Sequence, residues 1–207
     1  GQGQLYQAAD TYQKLKTVSA LGASMSASAL ADLALYEGRF REAARMLEQG
    51  AEADLAAKKP DAAADKYVAL AYTELSMRQN RLALFAAEKA LANSRAVKTR
   101  FLAGQVFAEA GDGARAQKVS ADLASELQSE PQAYAKIIDG TAALKRGDAR
   151  SAIKALKEAN ELQDTWIGHF QLARAYLEAG LFVEADSEFD RCIKRRGETL
   201  ALFMDEI

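Results

Sequence analysis

The sequence predicts an all-α fold, an α-solenoid assembled from tandem pairs of helices. Two observations support this prediction. A turn glycine, followed by an aromatic residue, a small residue and a large apolar residue, occurs at Gly38 and again at Gly180, and weaker copies begin at Gly111 and Gly147. The chain also has alanine-rich segments and only 2 prolines, which favours helices throughout. An internal repeat of this kind indicates units that cover one another's apolar faces.

The repeat also sets the boundaries that we predict. A small residue opens the second helix of each pair, and it recurs at a spacing close to 34 residues, with one longer step in the first half. These small residues are Ala8, Ala43, Ala83, Ala116, Ala152 and Ala185. We predict a single solenoid domain over 1–207, with a half repeat over 1–20, full repeats over 24–56, 64–94, 97–128, 131–163 and 165–197, and a partial helix over 198–207.

Composition excludes several classes of function. The hydrophobic fraction is 49%, the charged fraction is 27% and the net charge is −2, whereas a general nucleic-acid binder would be strongly basic. No apolar run approaches the roughly 20 residues that cross a bilayer. The segment Gly1–Gln4 lacks the basic and apolar regions of a signal peptide. We therefore expect a cytoplasmic protein with neither a nucleic acid nor a membrane as its partner.

Side chains at the helix ends predict where individual helices begin. Asp112 and Asp148 each follow a turn glycine directly, and each is suited to accept a hydrogen bond as an N-cap. Pro60 and Pro131 fit the first turn of a helix, where the missing N–H is not needed. The first helix of the first full repeat is expected over 24–36.

No constellation of residues predicts catalysis. His169 is the only histidine and Cys192 the only cysteine, so neither has the partners that a metal site needs. No spacing pairs a nucleophile with a base. We interpret His169 as a structural residue of a first helix and Cys192 as a buried thiol. The protein is expected to be no enzyme, with no metal and no cofactor.

The residues around the last repeat resemble the tetratricopeptide repeat family. Leu172–Tyr176, followed by Gly180, Phe182, Ala185 and Phe189, matches the family's pattern. The resemblance covers nearly the whole chain. It implies a right-handed superhelix whose concave face, lined by the first helices, binds peptides or helical segments of other proteins without catalysis. It also implies that Gly104 and Gly140 occupy small-residue positions where the second helix packs closely.

The chain departs from that family in places. Arg78 stands where repeat two would have its turn glycine, and Ser120 stands where a large residue is usual. One sub-class of the family binds acidic chaperone tails through Lys and Asn one turn apart on a first helix. The matching pairs here are Ser28 and Asp32, Val68 and Tyr72, Phe101 and Gln105, Ile137 and Thr141, and Phe170 and Arg174. None is Lys with Asn, so we exclude that carboxylate clamp.

The same pairs predict a different site. Their first members in repeats two to five are apolar and form a column where the first helices would face a groove, and their second members are mostly polar. Gln171 could add a polar contact, and Leu144 and Leu177 lie near the column. The predicted partner-binding residues are Val68, Tyr72, Phe101, Gln105, Ile137, Thr141, Phe170 and Arg174. The alternative is that the apolar members pack together inside the protein.

Two functions are compatible with this pattern. The first is a non-catalytic scaffold that binds a peptide or an amphipathic helical segment of another protein in its groove. The second is a regulatory or oligomerisation segment of a larger bacterial signalling protein, such as a kinase, a cyclase or a transcription regulator. The half repeat at the start and the unfinished helix at the end suggest the second function. Self-association would follow from it.

Overall fold

The computed structural model describes residues 4–198, and these form α-helices joined by short connections. No strand occurs among them. The predicted partial helix over 198–207 lies outside the described residues, apart from Glu198. The helices are α1 Leu5–Leu15, α2 Ala20–Tyr36, α3 Phe40–Ala56, α4 Pro60–Ser76, α5 Asn80–Asn93, α6 Val97–Glu109, α7 Gly113–Ala124, α8 Ser129–Lys145, α9 Ala149–Leu162, α10 Trp166–Glu178 and α11 Phe182–Lys194.

The helices fall into two compact units, with the division between Thr99 and Arg100. In the first unit, α1 to α5 pack in chain order and α2 also contacts α4. In the second unit, α7 to α11 pack in chain order and α8 also contacts α10. We call α2, α4, α6, α8 and α10 the first helices, and α3, α5, α7, α9 and α11 the second helices. Each unit is therefore a segment of an all-α solenoid, as the sequence predicts.

The alanines that mark the repeat lie at the contacts between helices. Because alanine has no side chain beyond Cβ, it lets two helices approach closely. Ala8 in α1 is half-buried, whereas the other five are buried. Ala43, Ala83, Ala116 and Ala152 are 0% exposed, and Ala185 is 2% exposed. The prediction that these residues are contact points is confirmed for the five buried alanines.

One type of turn ends every first helix. Gly38 has a φ of 75°, and the next residue, Arg39, donates its backbone N–H to Ala34 O at 2.8 Å. This arrangement satisfies carbonyl groups at the helix end and requires a left-handed residue, which glycine supplies without strain. Arg78 takes the same conformation with a φ of 59°, and Gln79 N donates to Glu74 O at 2.9 Å. Repeat two therefore has the turn without its glycine.

The same left-handed turn also occurs at the long repeat step in the first unit. Lys58, with a φ of 58°, forms this turn between α3 and α4 as well, so the connection between pairs equals the one within a pair. The helices α2, α3 and α4 each have 17 residues, and Pro60 is the first residue of α4. The helix α2 begins at Ala20 rather than at Ser24, because Ser19 Oγ accepts a hydrogen bond from Gly22 N at 2.9 Å.

Caps and glycines shape the second unit. Asp112 accepts a hydrogen bond from Arg115 N, and Asp148 accepts one from Ser151 N, each at 3.0 Å, so both predicted caps are confirmed. Close packing explains the glycines inside helices. A Cβ at Gly104 would lie 2.4 Å from Ile138 Cδ1, one at Gly140 would lie 2.5 Å from Leu156 Cγ, and one at Gly168 would lie 2.1 Å from Asn160 Oδ1.

Candidate partner-binding face

The apolar column predicted from the sequence is packed inside the protein at three of its four positions. Val68 is 4% exposed, and Phe101 and Ile137 are 0% exposed. The ring of Phe101 stacks on that of Tyr134 with centroids 4.1 Å apart, which joins α6 to α8. Burial raises the pKa of Tyr134 to about 12. These three side chains therefore follow the packed alternative and are not accessible to a partner.

The fourth member of the column, Phe170, is half-buried and packs towards α11. Its ring stacks on Trp166 at 5.2 Å and meets Phe189 edge-on at 6.1 Å. Trp166 Nε1 donates to the backbone oxygen of Cys192 at 2.8 Å. Cys192 itself is 5% exposed, and burial raises the pKa of its thiol to about 11. Both Phe170 and Cys192 therefore hold α10 and α11 together, and the prediction of a buried thiol is confirmed.

The polar members of the predicted site in the second unit lie close together. Thr141 Oγ1 donates to Gln105 Oε1 at 3.0 Å, and Gln171 Nε2 lies 3.5 Å from the same oxygen. Arg174 Nη1 donates to Gln171 Oε1 at 2.8 Å and to Glu109 Oε1 at 2.5 Å. We call these five residues the polar cluster. It connects the first helices α6, α8 and α10.

The polar cluster has a buried end and an open end. At the buried end, Gln105, Thr141 and Gln171 are 2%, 1% and 5% exposed. The Nε2 group of Gln105 has no hydrogen-bond partner among the described residues. At the open end, the side chains of Arg174 and Glu109 are 36% and 25% exposed. A molecule at this surface can reach the guanidinium and the carboxylate directly.

Apolar side chains continue the open end of the polar cluster. Leu177 follows Arg174 by three positions and is 48% exposed, and Leu144 follows Thr141 by three positions and is half-buried. Residues three apart lie on the same face of a helix. The accessible surface on this side of the second unit thus combines Glu109 on α6, Leu144 on α8, and Arg174 and Leu177 on α10. We call these four residues the first-helix face.

The sequence predicted only part of the residues at and beneath the first-helix face. It placed Gln105, Thr141, Gln171 and Arg174 at the site, and the structure brings all four together. It did not find Glu109. The signal was present, because Glu109 lies four positions after Gln105 and so on the same side of α6. Tyr72, on α4 in the first unit, is half-buried.

His169 on α10 links this helix to α11 and to the residue Asp164 that precedes α10. Its Nδ1 lies 2.5 Å from Glu188 Oε2 on α11, and its Nε2 lies 2.7 Å from Asp164 Oδ1. Hydrogen bonds from Arg195 and then from His169 hold the pKa of Asp164 below its usual range. His169 is 5% exposed. With both ring nitrogens engaged by carboxylates, it has the structural role that the sequence predicts.

The described residues were also considered as a metal site and as a membrane span, and they form neither. Residues 4–198 contain no group of three or more His, Cys, Asp or Glu side chains placed to hold a metal ion. Within the same residues, every helix is too short or too polar to cross a membrane.

Comparisons with known proteins agree with the helical architecture. No family model matches the chain, and no curated protein matches it in sequence. Among solved structures, BtubC (BKLC) from P. vanneervenii matches with a TM-score of 0.60 at 20% identity, over 93% of this chain and 88% of that one. The fold is tetratricopeptide-like.

Two further matches are to MamA. One MamA protein matches with a TM-score of 0.48 at 16% identity, over 89% of this chain and 97% of that one. MamA 41-end from Desulfovibrio magneticus RS-1 matches with a TM-score of 0.49 at 16% identity, over 100% of both chains. At 20% identity, the BtubC match bears on the fold alone.

Proposed function

We propose that this protein is a non-catalytic interaction scaffold that holds a peptide or an amphipathic helical segment of another protein on the first-helix face. The observation that carries the proposal is the open end of the polar cluster, where Arg174 and Glu109 stand beside the exposed Leu177. Charged and apolar groups alternate there across α6, α8 and α10. Such a surface suits an amphipathic segment better than it suits a uniformly polar or apolar ligand.

Each part of this face has a complementary group on a peptide. The guanidinium of Arg174 can bind a carboxylate or a backbone carbonyl, and Glu109 can accept from a Lys, Arg or backbone N–H. Leu144 and Leu177 can cover an apolar side chain. Burying one such side chain contributes about 1.5–3 kcal/mol, whereas association costs about 4–15 kcal/mol. A ligand must therefore contact all three first helices to bind well.

The environments of His169 and Cys192 support the non-catalytic part of the proposal. Both nitrogens of His169 already face carboxylates, so the ring has no nitrogen left to activate a nucleophile. The pKa of Cys192, raised to about 11 by burial, keeps the thiol protonated at neutral pH and therefore a poor nucleophile.

A selected ligand would test the face. We would select peptides of about 15 residues from a displayed library on the full chain and titrate the best one by fluorescence anisotropy. The test variant combines Arg174→Glu with Leu177→Lys. The matched control combines Lys154→Glu with Leu162→Lys on α9, where an exposed cation and a leucine that is 38% exposed are changed in the same way.

We expect the test variant to weaken binding by about tenfold or more and the control to leave it within about twofold. Circular dichroism would show that both variants keep their helices. Equal affinity for the two variants, or failure to select any peptide, would remove the first-helix face as a binding surface.

The second candidate is self-association as a regulatory or oligomerisation segment of a bacterial signalling protein. It is favoured by the outer side of α11 and the turn before it, where Leu181, Phe182, Val183 and Ile193 are 40%, 67%, 81% and 60% exposed. Exposed apolar side chains grouped in this way mark interaction surfaces. Light scattering over a concentration series would show a dimer that Val183→Lys abolishes. A monomer at every concentration would count against this candidate.

A further inference from the structure

A separate cleft lies in the first unit, between α3 and α5 and above α4. It has a volume of about 420 Å³, inside the range of about 300–1,000 Å³ that is usual for ligand pockets. Arg45 and Glu48 line it from α3, and Leu82 and Phe85 line it from α5. All of its lining residues belong to the first unit, whereas the first-helix face belongs to the second. The interaction proposed above does not use this cleft.

The floor of the cleft holds a carboxyl group whose hydrogen bonding is incomplete. Glu74 on α4 is 8% exposed, and its Oε2 is buried with no hydrogen-bond partner among the described residues. Burial, and secondarily the charge of Glu48, raises the pKa of Glu74. Most buried polar atoms in proteins have a partner, so an exception inside a cleft calls for an explanation.

The cations that line the cleft are on α3 and α5, whereas Glu74 is on α4. Lys89 on α5 sits over two aromatic rings, with Nζ 4.8 Å from the centroid of Phe85 and 5.1 Å from that of Tyr67. Arg41 and Arg45 are exposed on α3. Cation–π contacts of this kind hold an ammonium group without a carboxylate. The cleft therefore carries three cations and Glu48 on α3 and α5, and a buried carboxyl on its floor.

The wall on α5 is apolar and open to solvent. Phe85 is 56% exposed and Leu82 is 48% exposed, while Leu70, on the floor beside Glu74, is 7% exposed. A large aromatic side chain left half open next to a buried carboxyl suits a ligand that brings both apolar carbon and a hydrogen-bond donor.

We propose that the α3–α5 cleft binds a helical segment of another protein that presents one Lys or Arg, flanked by apolar side chains, to Glu74. The cation donates to Glu74 Oε2 and offsets the neighbouring charge of Glu48. The stem of the inserted residue and its apolar neighbours cover Leu82 and Phe85. Acidic residues at the edges of the segment face Arg41, Arg45 and Lys89.

This site is independent of the first-helix face, and its test is designed to keep the two apart. The displayed peptide library would be selected on a chain that carries Arg174→Glu and Leu177→Lys. The best peptide would be synthesised with its basic residue intact and with that residue replaced by norleucine. Binding would be titrated against Glu74→Gln and against Glu52→Gln, which changes an exposed glutamate of α3 outside the cleft.

We expect the selected peptides to share one Lys or Arg between apolar residues. Glu74→Gln and the norleucine peptide should each weaken binding by about tenfold or more, and Glu52→Gln should change it by less than about twofold. Leu82→Lys, which keeps Glu74 and places a charge on the wall, should weaken binding as well.

Several results would overturn the proposal. The selected peptides could lack a basic residue or be purely acidic. A second copy of the chain could displace the peptide. The peptide could also bind Glu74→Gln and the parent chain with equal affinity. Because the first-helix face is already disabled in this background, none of these results bears on the function proposed for that face.

Discussion

The first unit buries an ion pair, whereas the second unit buries a network of neutral amides and a hydroxyl. In the first unit, Lys66 Nζ lies 2.6 Å from Asp54 Oδ2, and their side chains are 4% and 5% exposed. Ser24 Oγ donates to Asp54 and accepts from Lys66, each at 2.9 Å. In the second unit, Gln105 on α6 and Thr141 on α8 are buried and joined at 3.0 Å.

The two groups differ in their exposure to solvent and in how completely they are hydrogen-bonded. The ion pair joins α2, α3 and α4, it is closed to solvent, and Ser24 completes its hydrogen bonding. The polar cluster joins α6, α8 and α10, but it leaves Gln105 Nε2 unpaired and opens to solvent at Arg174. A closed and satisfied group serves the fold. The proposed partner would contact the open end of the polar cluster, at Arg174 and Glu109.

Breaking the ion pair should have the largest effect. Asp54→Ala leaves the ammonium of Lys66 buried without its carboxylate, and we expect the free energy of unfolding to fall by about 3–5 kcal/mol. Urea unfolding followed by circular dichroism measures this change.

The matched control for that prediction replaces both charges. The variant Asp54→Leu with Lys66→Met should be far less destabilised than Asp54→Ala, because no uncompensated charge remains. If the double variant is as unstable as the single one, packing rather than charge explains the loss.

The second prediction concerns close packing in the second unit. Gly140→Ala places a Cβ 2.5 Å from Leu156 Cγ, so we expect it to lower the free energy of unfolding by about 1–3 kcal/mol. Gly113→Ala is the control, since its Cβ would meet no atom within 4 Å and alanine favours a helix. Thermal unfolding of both variants measures the two changes. If Gly140→Ala is at least as stable as the parent chain, the packing argument is wrong.

The third prediction returns to the cleft of the first unit. Glu74→Met removes a buried carboxyl with an unpaired oxygen, so we expect the free energy of unfolding to rise by about 1–2 kcal/mol. Glu52→Met, at an exposed position of α3, should change it by less than about 0.5 kcal/mol. A stability loss at Glu74→Met, measured by urea midpoint, would show that the carboxyl supports the fold instead.

The fourth prediction compares the turns of the two units. Arg78→Gly should raise the free energy of unfolding slightly, by up to about 1 kcal/mol, because it relieves a left-handed non-glycine residue. Gly111→Ala, at a φ of 86°, should lower it by about 1 kcal/mol. Thermal unfolding measures both changes. If Gly111→Ala is more stable than Arg78→Gly, relative to the parent chain, the two positions do not share the same left-handed turn.

The smallest expected effect depends on pH. The backbone N–H of Arg115, followed by that residue's side chain, holds the pKa of Asp112 below its usual value. Because the folded-state pKa lies below the unfolded value of about 3.9, the ionised cap stabilises the fold above pH 4, and this contribution is lost as the pH falls through the folded pKa. Asp112→Asn should therefore cost less than about 1 kcal/mol at pH 6, and the cost should shrink towards pH 3 in parallel unfolding curves.

The sequence predicts the repeats well because glycine turns and small contact residues leave local signals. Gly38, Gly111, Gly147 and Gly180 all take positive φ values at first-helix ends. The positive φ of Lys58 could not be predicted, because no local sequence signal indicates that a lysine will adopt the left-handed conformation. The extra length between Ala43 and Ala83 was visible in the repeat spacing, and it lies in α3 and α4, which have 17 residues each.

The site was harder to predict because helix phase decides it. A shift of one residue turns a side chain by about 100° around the helix, which separates a groove from an interior. The side chains of Phe101 and Ile137 are buried in the interior, and the ring of Phe170 packs against Phe189 of α11. Polar residues were the better guide, since Gln105, Thr141 and Arg174 need partners and so come together.

Hydrogen exchange with and without the selected peptide tests the central claim most directly. If the first-helix face binds it, exchange should slow in α6, α8 and α10, most strongly in the last turns near Glu109, Leu144 and Leu177. The second helices α7, α9 and α11 should exchange as before. Protection confined to α7, α9 and α11, or spread evenly over the second unit, would contradict the account.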